Sequence, residues 1–95
     1  MGHLPQMLAT ILARTLEGQG LRSSDLGRGG RDMTRLAESS PELWRDVFQV
    51  SGEADSLALE RVRSELQALV DALEIGSYEH VAEMMHGTRK WRRDP

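Results

Sequence analysis

Leu59, Val62, Leu66, Leu69 and Leu73 recur in alternating steps of three and four. That spacing is a heptad seam. It belongs to the longest element the sequence predicts, a helix from Ser51 to Leu73 that Ser51, Ala54 and Asp55 begin. Glu60, Arg61, Arg63, Glu65 and Asp71 occupy its other faces. About 22 residues of helix span roughly 33 Å, whereas a compact domain of this size has a radius of gyration of about 12 Å. Such a helix crosses the whole molecule, and Ala58, Ala68, Val70 and Ala72 widen its apolar stripe. Two covers suit the stripe: a partner chain, or a three- or four-helix bundle closed within one chain. Spacing alone leaves both open.

The remaining segments also read as helix. Leu4, Met7, Leu8, Ile11, Leu12 and Leu16 share one face of a helix from Leu4 to Leu16, which Gly18 and Gly20 stop. Gly18 to Gly30 holds five of the nine glycines and reads as a loop. Its Gly27-Arg28-Gly29-Gly30 run follows no predicted strand and lacks the Gly-Lys-Ser/Thr of a phosphate cradle. Gly76 and Ser77 break the chain again, and Ser77 is placed to cap a last helix from Tyr78 to about Lys90. With the four aromatics limited to Trp44, Phe48, Tyr78 and Trp91, the core is mostly Leu, Val, Ala and Met, which suits helices. The expected fold is all-α, a bundle of about five helices with one long central helix, in a single domain burying about 60–65% of its unfolded surface.

Several function classes are excluded or disfavoured. Without cysteine there is no disulfide framework and no thiol chemistry. A net charge of −3 argues against general nucleic-acid binding, although Arg22, Arg28, Arg31 and the basic tail around Trp91 are the residues such binding would use. No apolar run reaches the roughly 18 residues of a membrane span, and the start lacks the basic region of a signal peptide, so the expected location is cytoplasmic. His80 and His86 are six apart and off one face, with no carboxylate to complete a ligand set, so no metal site is expected.

The chemistry concentrates between Gly29 and Asp46, GGRDMTRLAESSPELWRD. Ser40-Pro41 is a helix start: serine accepts from a free backbone N–H, and proline loses nothing at the first helical position. Glu42 then suits the positive end of the helix dipole. Leu43, Val47 and Val50 follow on one face, with Trp44 and Phe48 beside them. Upstream, Asp32 to Glu38 reads as one or two helical turns with Asp32 and Arg35 three apart, close enough to pair. The corner between the two short helices can aim Arg35 and Trp44 into one pocket. The same residues also fit an ordinary surface pair, worth under about 1 kcal/mol, and an ordinary core indole.

This run resembles the signature of the helical C-terminal domain of prephenate and arogenate dehydrogenases: Gly-Phe-Arg-Asp-x-Thr-Arg-Ile-Ala, a Ser-Asp-Pro step, then Trp-Arg-Asp-Ile. Arg31, Asp32, Thr34, Arg35, Ala37, Ser39, Pro41, Trp44, Arg45 and Asp46 match in register. Gly2-His3-Leu4-Pro5 resembles the Ser-His-Leu-Pro that opens a helix of the same domain, at a fitting distance. Gly30 stands in place of an aromatic, Ser40 in place of an Asp and Ser51 in place of a helix-capping Asn. The first two departures alter the wall of the site.

The resemblance implies an intertwined homodimer and the dimerisation and substrate-binding part of an enzyme of tyrosine biosynthesis. That enzyme oxidatively decarboxylates prephenate or arogenate, passing a hydride to NAD or NADP. It implies that His3, Arg35 and Trp44 bind substrate and that Asp32 holds Arg35. The catalytic histidine and the nucleotide loop would belong to a domain absent from this chain, which would be a fragment, bind no cofactor and be inactive alone. A stand-alone helical dimerisation module without ligand is the alternative.

Overall fold

A computed structural model describes residues 2–94. Among them it is all-α, with four α-helices and two 3₁₀ turns: α1 (His3–Gly18), a turn at Ser23–Asp25, α2 (Arg28–Thr34), a turn at Arg35–Glu38, α3 (Pro41–Glu74) and α4 (Tyr78–Arg93). No helix is long and apolar enough to cross a membrane among the described residues. The chain divides into two compact units, Met1–Ala58 and Leu59–Pro95.

In the first unit α1 packs against α2 and the second 3₁₀ turn. Met7 and Ala9 are its buried apolar residues, with Gln6 and Asp55 the buried polar ones. Gly20 ends α1 at φ +84°. Its N–H donates to the Glu17 carbonyl at 2.9 Å and that of Leu21 to the Leu16 carbonyl at 3.2 Å. This is a Schellman stop, which needs a left-handed residue that glycine supplies without a Cβ clash. Asp25 folds the following loop by accepting the Arg22 N–H at 2.8 Å.

The helix start at Ser40 holds. Its hydroxyl accepts the Leu43 N–H at 3.3 Å, and its carbonyl accepts the Trp44 N–H at 3.2 Å. Two expected boundaries do not. Ser51 starts no helix: its hydroxyl lies 3.0 Å from the Val47 carbonyl and 2.7 Å from Asp55 Oδ2, two acceptors that share its one proton. Both partners lie one turn away on the same helix, so Pro41–Glu74 runs on as one element of 34 residues. The five expected helices thus become four by this fusion. The glycine loop is also shorter than expected, since α2 opens at Arg28 and takes in Gly29 and Gly30. Packing on α1 overrides their low helix propensity.

In the second unit the end of α3 and α4 are joined by Gly76 at φ +75°. The Gly76 N–H donates to Leu73 at 3.2 Å and that of Ser77 to Ala72 at 2.9 Å, a second Schellman stop. Ser77 makes no side-chain cap to α4; the glycine makes the break. Ala72 is this unit's one buried apolar residue among those described.

Candidate functional site

Two clusters occupy the first unit. One joins the start of α1 to α3. His3 lies at the first position of α1, with a half-buried side chain, and Asp55, largely buried, faces it from α3. His3 Nδ1 donates to Asp55 Oδ1 at 2.9 Å and Oδ2 at 3.1 Å. A carboxylate only accepts, so the proton of this bond belongs to Nδ1. Ser51 Oγ donates to Asp55 Oδ2 at 2.7 Å and lies 3.3 Å from His3 Nδ1. The Ser51 hydrogen bond most of all, then the hydrogen bond and charge of His3, hold the Asp55 carboxyl below the usual carboxylate range, against burial, which pushes it up. Trp44 meets the His3 ring edge-to-face at 5.4 Å and 88°, and Phe48 lies 5.5 Å beyond it. The spacing of Trp44, Phe48, Ser51 and Asp55, in steps of four, three and four, puts all four on one side of α3.

The other cluster is a cleft of about 880 Å³ between α1, the loop after it, α2 and the second 3₁₀ turn. Arg14, Arg22, Arg31 and Arg35 line it with Glu17, Asp32 and Glu38, over an apolar floor that includes Ala13, Leu16, Leu26 and Ala37. Four guanidinium groups against three carboxylates leave the cleft net cationic. Guanidinium forks match a carboxylate in two parallel hydrogen bonds.

Arg35 and Asp32 share this cleft. They form no ion pair within 4 Å, because the ion pairs among the described residues are His3–Asp55, Arg45–Asp46, Arg63–Glu60 and His80–Glu83. Arg35 is the C-cap residue of α2 and the first residue of the 3₁₀ turn. His3 and Trp44 do not line the cleft. His3 precedes the nearest α1 lining residue, Thr10, by about 10 Å of helix rise. The expected residues therefore occupy two neighbouring places, Arg35 with Asp32 and His3 with Trp44.

Ser51 and Asp55 as partners of His3, and Arg14 and Arg22 as companions of Arg35, were not foreseen. The four-residue step from Ser51 to Asp55 on the Trp44 side of the helix is the signal that could have shown the first pair. Nothing local marks Arg14. No group of three or more His, Cys, Asp or Glu side chains is placed to hold a metal ion among the described residues. A dinucleotide cradle needs a strand leading into its glycine turn. Gly27 opens α2 from extended backbone, and no strand is present among the described residues.

No solved structure matches the chain. A family model described as "Prephenate dehydrogenase, dimerization domain" matches residues 1–87, which takes in both clusters and leaves residues 88–95 outside. The chain belongs to the prephenate dehydrogenase dimerization-domain family.

Proposed function

We propose that this chain is the dimerisation and substrate-binding part of a prephenate or arogenate dehydrogenase of tyrosine biosynthesis, and that it works as a homodimer. The net cationic cleft carrying Arg35, in a chain of this family, is the observation that carries the substrate half. The substrate's carboxylate would sit in the fork of Arg35, steadied by the neighbouring arginines. His3 and Trp44, outside the cleft, would meet the part of the substrate that extends beyond it. NAD or NADP would serve the whole enzyme as hydride acceptor, held by a nucleotide-binding domain of that enzyme.

The dimer half is supported by apolar surface with no cover. Leu43, Val50 and Leu57 on the first unit are 60%, 92% and 66% exposed, and Leu66 and Leu73 on the second are 59% and 49%. No side chain of the described residues is fully buried. A second copy covers such faces symmetrically.

Titration of prephenate into the chain by calorimetry tests the site. Arg35→Ala should keep the helical spectrum and melting curve, since Arg35 is exposed, and lose measurable binding. Unfolding of the variant would make the arginine structural. One observation favours the alternative, a ligand-free dimerisation module: His3 and Trp44 stand apart from the Arg35 cleft. That reading expects a dimer that takes up no prephenate.

A further inference from the structure

We propose that Asp55, helped by Ser51, is a positioning residue that fixes His3 with Nδ1 turned inward and Nε2 left with the lone pair that accepts a ligand hydroxyl. The inference rests on the reading of His3 as a ligand-contacting residue. Its geometry is independent of that reading.

An exposed histidine at the first turn of a helix samples several rotamers and both neutral tautomers. Here both carboxylate oxygens lie within 3.1 Å of the same ring nitrogen, so a modest ring rotation keeps one bond while loosening the other. Ser51 donates to Oδ2 at 2.7 Å and so holds the carboxylate from its own helix. The edge contact of Trp44 limits the ring from a further side. Three constraints on one ring leave Nε2 without a hydrogen-bond partner among the described residues. Fixing the orientation beforehand removes a cost that ligand binding would otherwise carry. The pattern is that of a carboxylate setting the tautomer of a working imidazole, as in many sites where histidine acts. Nothing in Asp55 itself need touch the ligand.

The decisive measurement is the tautomer of His3, read from ring ¹⁵N and ¹³C shifts of the full chain. The neutral ring should be the Nδ1–H form. Asp55→Ala should convert it largely to Nε2–H and weaken prephenate binding by about tenfold or more, the scale of a lost hydrogen bond to a charged group. Asp55→Asn keeps an acceptor and should restore much of both. A merely structural Asp55 would leave the tautomer unmoved. An Nε2–H ring in the unsubstituted chain, or an unchanged tautomer in Asp55→Ala, overturns the proposal. Should Asp55→Ala fail to fold, Asp55→Leu, which removes the acceptor and fills the space with an apolar side chain, gives the same comparison. His3→Ala separates the two claims. If it leaves prephenate binding intact, the ligand role of His3 fails while the tautomer result stands. If it abolishes binding and Asp55→Ala does not, only the positioning role falls.

Discussion

Val50 offers the cleanest probe of the dimer. It is 92% exposed and sits on α3 in heptad step with Leu43 and Leu57, one turn from Val47 and Ala54. Fully burying a valine is worth about 1.5 kcal/mol. Almost all of that, about 1.4 kcal/mol, is still available to a partner. In a two-fold dimer each substitution acts twice, so Val50→Gln should weaken association by about 2.8 kcal/mol, roughly a hundredfold in Kd. The single chain should not suffer, because glutamine is the better helix former and the side chain touches little. Leu66, at 59% exposure, retains about 1.2 kcal/mol. Leu66→Gln should therefore cost about 2.4 kcal/mol per dimer, nearer fiftyfold. Sedimentation velocity over a dilution series gives both constants, with circular dichroism at the lowest concentration as the control. Mass-against-concentration curves that coincide for both variants and the parent would refute the covered-face reasoning. A shift for Leu66→Gln alone would confine the interface to the second unit.

Acid should expose the role of Asp55. Its folded-state carboxyl titrates below the ordinary 3.8, so its contribution to stability is complete above that value and disappears as pH falls through the lowered one. Denaturation midpoints measured from neutral pH down to strong acid should decline over that window, and Ser51→Ala, which removes the largest cause of the lowering, should flatten the decline; an identical slope in the variant would contradict the assignment. The glycines divide by backbone conformation. Gly29 has open space at its Cβ position and no left-handed φ, so Gly29→Ala should raise stability by about 0.5–1 kcal/mol. Gly76→Ala, forced to φ +75°, should lower it by about 1–2 kcal/mol; urea midpoints of the same sign for both would contradict the Schellman assignment. Leu66→Asp, which places a charge on the seam, should split the dimer or unfold the chain.

The elements whose signals are local were legible. Ser40-Pro41 caps as read, and glycines 20 and 76 stop their helices, because each acts through neighbouring backbone. Ser51 misled because the same hydroxyl that caps a helix can bond back one turn inside it, and which it does depends on what faces it. Here that is Asp55 and the imidazole beyond. Gly29 and Gly30 misled because propensity is weaker than packing, and α1, the packing surface, is distant in sequence. The candidate site divides in the same way. Arg35 and Trp44 announced themselves through the motif, whereas the separation of His3 and Trp44 from the Arg35 cleft depends on how α1 lies, which no local spacing encodes.

The hydrogen bond between His3 and Asp55 spans 52 positions, and this has a kinetic consequence. Loop-closure entropy must be overcome before a distant contact returns any enthalpy, and each doubling of the loop adds about 0.6 kcal/mol. Contacts of α1 with α2 close much shorter loops and can form while α3 is still finding its place. Closure entropy alone therefore predicts that the imidazole reaches its carboxylate after the shorter loops have closed and leaves it before they open. The ring-proton exchange of His3 should proceed through openings that leave the amide protons of α2 and the later turns of α1 protected. Any ligand that engages His3 then acts as a latch on the last step of folding, slowing the opening of a segment it barely covers.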